Sequence, residues 1–205
     1  MRIWFSKHWQ VPGVVAMVVC LVVGGPAMGG DDWLEQPWHP ERDWSVTAFI
    51  GQWDESRFAE ILTFRGGDMK ASYLAGFALN RRIARKANDI VHWEVEASVF
   101  RHWRIQDNWE GNLALVVRWT AFPWDRYVNT SAAFGSGVSL ASEKPKLEGT
   151  TREFLHHLLA EVEFAPPGDT PWSGVARVHH RSGAFGLYGR HGGSNAITLG
   201  LRYRF

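Results

Sequence analysis

His180 and Ser182 stand two residues apart near the end of an alternating segment, and Asn195 opens the next such segment. Residues two apart on a strand point to the same face, so the imidazole and the hydroxyl share one side of the sheet. A histidine that takes a serine's proton turns a weak alcohol into a nucleophile, and the chemistry that follows is acyl transfer from an ester. The base needs a third group to hold it. Asn195 shares the parity of Ile197 and Leu199, which places it on the same face of the adjacent strand. There its amide oxygen can accept a ring N–H of His180. Backbone N–H groups near Gly183, Gly192 or Gly193 would hold the oxyanion. This mechanism requires neither metal nor cofactor. The pairs His156-His157 and His179-His180 are adjacent in sequence, so on strands their rings point to opposite faces and cannot chelate together.

The elements that must carry these side chains follow a period of two. Trp44, Val46, Ala48 and Ile50 form one apolar stripe, and Ala71, Tyr73, Ala75, Phe77 and Leu79 a second. Val91, Trp93, Val95, Ala97 and Val99 are opposed by His92, Glu94, Glu96 and Ser98. Leu113, Leu115, Val117, Trp119 and Ala121 make the fourth stripe, and Phe134, Val138 and Leu140, among small residues, the fifth. Phe154, Leu158, Ala160, Val162 and Phe164 make the sixth, and Trp172, Ala176 and Val178 the seventh. The eighth runs to the last residue through Ile197, Leu199, Leu201, Tyr203 and Phe205. Alternation alone fits a soluble barrel as well as a membrane barrel. The charged rows decide between them: Glu161 and Glu163 lie on the segment next to Arg177 and Arg181, so the polar rows can neutralise one another inside. The pattern predicts an all-β fold, an eight-stranded antiparallel transmembrane β-barrel of the outer-membrane type, with both termini on the periplasmic side. Turns are expected at 84–89, 123–131 and 165–171, and outer loops at 54–68, 104–108, 142–150 and 183–194. Proline and glycine cluster in these stretches.

The remaining features set the compartment. Arg2 and Lys7 precede an apolar run at 11–23 and a string of small residues ending at Gly29 and Gly30, which reads as a secretory signal peptide over 1–29 followed by one barrel domain over 30–205. The run is too short for a membrane-spanning helix of about 20 residues. Cys20 lies inside it without a small residue directly before it, which argues against a lipid anchor and leaves the exported chain without cysteine. Without Arg2 and Lys7, the 22 basic residues of the full chain fall just below the 21 acidic ones, which excludes an electrostatic nucleic-acid binder. Twelve tryptophans, many near segment ends, suit an interface between lipid and water. In that setting His180, Ser182 and Asn195 would be polar groups on a lipid-facing surface, expensive without a purpose. An aromatic C-terminal strand ending at Phe205 would present the chain to the outer-membrane assembly machinery, and a homodimer is left open.

The segment 177–183, Arg-Val-His-His-Arg-Ser-Gly, followed by a glycine-rich loop and a final strand ending in Phe205, resembles the lipid A 3-O-deacylase (PagL) family. The resemblance implies an eight-stranded outer-membrane barrel that hydrolyses the ester-linked 3-hydroxyacyl chain at position 3 of lipid A, a carboxylic ester hydrolase acting on lipopolysaccharide in the outer leaflet. By position His180 matches the family's base and Ser182 its nucleophile. Two departures stand out. The family pattern continues His-x-Ser-Asn where this chain has Gly183, and no Asp or Glu follows Asp169, so Asn195 occupies the place of the family's acid. Arg181, Arg190 and His191 are expected to meet lipid A phosphates. The alternative is a non-enzymatic barrel with a structural, adhesive or surface-interaction role.

Overall fold

The computed structural model describes residues 42–86, 89–149, 152–188 and 193–205. The expected signal peptide, Arg190, His191 and Gly192 lie outside them. Eight strands form one closed antiparallel barrel in chain order. They are β1 (Trp44–Asp54), β2 (Met69–Lys86), β3 (Val91–Arg104), β4 (Trp109–Trp119), β5 (Asn129–Ala141), β6 (Phe154–Ala165), β7 (Trp172–Ser182) and β8 (Gly193–Arg204). The seam closes between β1 and β8, with Val46 opposite Tyr203 and Asp54 opposite Asn195. At its foot Trp44 and Phe205 exchange backbone hydrogen bonds of 3.1 and 2.9 Å.

Polarity is inverted relative to a soluble barrel, as the charged rows imply. Ile50 is 63 % exposed, Phe77 61 % and Leu113 53 %, whereas Arg118, Arg177, Arg181 and Arg202 are among the most buried side chains. Buried charge is tolerable only when paired and hydrogen-bonded, and here every arginine of the network meets carboxylates. Arg118 reaches Glu94, Glu161 and Glu163 at 2.7, 2.9 and 3.0 Å. Arg177 bridges Glu96 and Glu161, both at 2.6 Å. Arg202 bridges Glu161 and Glu163, and Arg204 joins Glu163. The network fills the lumen from β3, β4, β6, β7 and β8.

Arg181 departs from its expected roles. It is wholly buried, so it cannot meet a phosphate outside the barrel. Nor does it pair with Glu161 or Glu163, because the register sets it opposite His157 while Arg177 faces Glu161. Its partners are Glu148 at 2.5 Å, the Ser139 hydroxyl at 2.7 Å, the Glu153 carbonyl at 2.8 Å and Glu110 at 3.8 Å.

The loop between β1 and β2 carries a short helix, α1 (Phe58–Leu62), where the alternation predicts only a connection. The Arg57 N–H donates to the Glu60 carboxylate at 2.8 Å, which satisfies a helix-start donor, and Ile61 is the residue it buries. The β5–β6 loop folds back into the mouth of the barrel. There the Glu148 carboxylate accepts from Ser194 at 2.9 Å, and its carbonyl accepts the Gly193 N–H at 3.0 Å. That loop thereby fixes the first residues of β8.

Candidate active site on the barrel exterior

The register brings the polar exterior residues of neighbouring strands into line. Ser136 on β5 lies opposite Leu158 on β6, Leu158 opposite His180 on β7, His180 opposite Asn195 on β8, and Asn195 opposite Asp54 on β1. His180 and Ser182 both sit on the outer face, alternating with the buried His179 and Arg181.

His180 and Asn195 are in contact, with His180 Nδ1 2.7 Å from Asn195 Oδ1. The orientation of the amide follows from its other end, where Asn195 Nδ2 donates to the Ser56 carbonyl at 2.6 Å. With Oδ1 as the acceptor, the proton of a neutral His180 resides on Nδ1. Its Nε2 then presents a lone pair, the form a general base requires. Ser56 is itself anchored, since its N–H donates to Asp54 Oδ1 at 2.8 Å. A chain of contacts therefore runs from the Asp54 carboxylate through Ser56 and Asn195 to the imidazole.

The β1–β2 loop also shelters this chain. Asn195 is only 7 % exposed although Leu201, on the same face of β8, is 55 % exposed. The Phe58 ring of α1 lies 4.9 Å from the His180 ring. Asp54 is fully buried, and its Oδ2 has no hydrogen-bond partner among the described residues. Sequence reasoning missed Asp54, Ser56 and Phe58. They lie more than a hundred residues before Asn195, and only the closing seam makes them neighbours.

Ser182 follows His180 by two positions, so their Cα atoms are about 7 Å apart. No hydrogen bond joins the two side chains, and Ser182 Oγ instead accepts the Ala184 N–H at 3.4 Å. Ala184 opens a turn of 3-10 helix, Ala184–Gly186, with φ of 45°. Of the proposed oxyanion donors, the Gly193 N–H is already given to the Glu148 carbonyl, which leaves Gly183 as the described position. Among the described residues, no group of three His, Cys, Asp or Glu side chains is placed to hold a metal ion.

No family model and no curated protein matches the chain. Among solved structures it is similar to the outer-membrane enzyme PagL, with a TM-score of 0.54 and 12 % identity over 78 % of this chain and 99 % of that one. Neisserial surface protein A matches with a TM-score of 0.48 and 12 % identity, covering 79 % of this chain and 97 % of that one. OprG from Pseudomonas aeruginosa matches with a TM-score of 0.44 and 10 % identity, covering 83 % and 99 %. At such identities the likeness to PagL speaks to the fold alone. The chain has the eight-stranded closed barrel fold of the small outer-membrane proteins.

Proposed function

We propose that the chain is an outer-membrane lipid A deacylase, hydrolysing an ester-linked 3-hydroxyacyl chain through Ser182 and His180 on the lipid-facing exterior. The observation that carries this reading is the His180–Asn195 contact of 2.7 Å, which orients the imidazole two residues before Ser182 on the same face. Exterior rows of Ile50, Phe77, Leu113 and Leu201 suit hydrocarbon, and the end of the barrel opposite the termini then lies at the outer leaflet. Phe205 supports recognition by the assembly machinery.

In the reaction Ser182 gives its proton to His180 Nε2 as its oxygen attacks the ester carbonyl carbon. The oxyanion is held by backbone N–H at Gly183, and His180 returns the proton to the departing sugar oxygen. Water, deprotonated by the same histidine, then releases the fatty acid and restores Ser182. The Ser182 hydroxyl and His180 Nε2 must meet for this step, and catalytic contacts of this kind commonly tighten when substrate binds. Asn195 orients the imidazolium without charge. The carboxylate that ends this chain of contacts, Asp54, lies two strands from His180, about 10 Å by strand spacing. At an effective dielectric near 20 that is worth about 1.7 kcal/mol, against about 4 kcal/mol for a carboxylate at contact.

The missing Ser182–His180 hydrogen bond and the Phe58 ring packed on His180 favour the second reading, a non-enzymatic barrel with a structural or surface-interaction role. Mass spectrometry of lipid A separates the two. Loss of one hydroxyacyl chain in cells making the protein, abolished by Ser182→Ala and by His180→Ala, supports the hydrolase. Unchanged lipid A leaves the second reading.

A further inference from the structure

The exterior carries another serine–histidine pair. Ser136 Oγ lies 3.0 Å from His156 Nε2, the one Ser–His side-chain hydrogen bond among the described residues. The pair spans β5 and β6 on the diagonal, Ser136 facing Leu158 and His156 facing Val138. On its other side His156 lies opposite Ser182, but its bonded serine is Ser136. Tyr188 stacks over the His156 ring at 6.0 Å and 15° and meets Phe154 at 5.6 Å. The base is thus held against a ring on one side and hydrogen-bonded to an exposed alcohol on the other.

One step further toward the same end of the barrel a groove of about 430 Å³ opens, lined by Leu140, Phe154, Leu187, Tyr188, Lys144, Arg152 and Glu153. Leu140, Phe154 and Leu187 give it apolar lining, and its charged lining is two basic side chains and one acidic. An ester whose carbonyl rests at Ser136 would lay its chain along the apolar exterior of β5, where Phe134 is 49 % exposed. Its headgroup would fall in the groove, where the balance of charge suits an anion.

We infer that Ser136 and His156 form a second acyl-transfer site, whose substrate is an acyl ester of an anionic membrane lipid. The inference needs the barrel to sit in a bilayer and does not need Ser182 to be active. Ser136 Oγ bonds to the acyl carbon while its proton passes to His156 Nε2. The carbon–oxygen bond to the lipid alcohol breaks, and the leaving oxygen takes that proton. Water then attacks the acyl–Ser136 ester, again through His156, giving the free acid and Ser136.

The test uses the full chain refolded in detergent and a fluorophosphonate probe, with labelled serines mapped by peptide mass spectrometry. In a Ser182→Ala background Ser136 is labelled, and adding His156→Gln lowers that labelling by about tenfold or more. Ser136→Ala serves as the labelling control, and the shift in gel mobility between folded and unfolded barrel shows that every variant is folded. Absence of label on Ser136, or equal labelling without His156, overturns the inference. Label on Ser182 alone sinks this site and spares the first, whereas label on Ser136 alone does the reverse. Fatty-acid release by Ser182→Ala from micelles containing phosphatidylglycerol or lipid A identifies the source of the ester. That release should be lost in the Ser136→Ala, Ser182→Ala double variant. Equal release from phosphatidylcholine would overturn the anionic headgroup, and release from none of the three would overturn the site.

Discussion

The central residue is His180, and its protonation pattern is set from outside its own strand. The Ser56 carbonyl fixes the Asn195 amide, the amide fixes the imidazole, and Asp54 fixes Ser56. Replacing Asn195 with alanine leaves the ring free to rotate and to carry its proton on either nitrogen. The expected result is a fall in kcat of about a hundredfold with KM little changed, measured on lipid A in detergent micelles. Asp54→Asn retains the shape of the side chain and an acceptor for the Ser56 N–H but removes the charge. It should lower kcat by about tenfold, in line with the field of a carboxylate two strands away. An unchanged kcat in Asp54→Asn would remove the electrostatic part of the account. The His180–Ser182 pair was legible because strand parity acts over two residues, and Asn195 was legible by the same parity on the next strand. Asp54 and Ser56 were not. Ser56 is 139 residues from Asn195, and neither belongs to a local pattern that announces its partner.

Among the elements, β8 has its start defined by close approach. A methyl group at Gly193 would lie 2.5 Å from the Arg181 carbonyl oxygen and 3.3 Å from Ser182 Cβ. Gly193→Ala should therefore push β8 from β7 beside Ser182, the proposed nucleophile, costing about 1–3 kcal/mol in a urea titration of the folded barrel and lowering any deacylase activity with it. The β4–β5 connection offers a test by pH. Asp125 accepts the N–H groups of Phe122 and Thr130 at 2.8 and 2.9 Å, yet burial outweighs these bonds and raises its carboxyl from 3.8 to about 6. The folded state thus binds the proton more tightly than the unfolded chain, so this group's contribution to stability falls as pH rises from about 4 to about 6. Asp125→Asn should flatten that part of the pH profile of the unfolding midpoint. An identical slope in the variant would show that another group is responsible. The short helix α1 could not be foreseen from alternation. Its five residues are too few for a helical period to stand out, and its position follows from packing on β7, Phe58 against His180.

The whole molecule is a barrel whose interior charges form two sets, one gathered on Glu161 and Glu163 and one in which Glu110 meets His102, His179 and Arg181. The alternating stripes made the eight strands and the buried rows readable, because each strand repeats the same two-residue rule and the acidic row of β6 lies beside the basic row of β7. Pairing within the lumen was readable only in part, since Arg181 meets a loop residue, Glu148, whose place no strand period predicts. Arg202 touches both Glu161 and Glu163, so Arg202→Met should leave two buried carboxylates short of a partner. The expected cost is about 3–5 kcal/mol, read from urea unfolding by the shift in gel mobility between folded and unfolded barrel. A loss below about 1 kcal/mol would mean that the remaining arginines of the lumen compensate. The seam that gathers this network also assembles the exterior chain from Asp54 to His180, so fold and proposed function share one closure. The most direct measurement is the mass of lipid A from cells carrying the native chain, Ser182→Ala or His180→Ala at equal barrel abundance. The account predicts lipid A lacking one 3-hydroxyacyl chain with the native protein and intact lipid A with either variant. Intact lipid A in all three, or the same loss in all three, would contradict it.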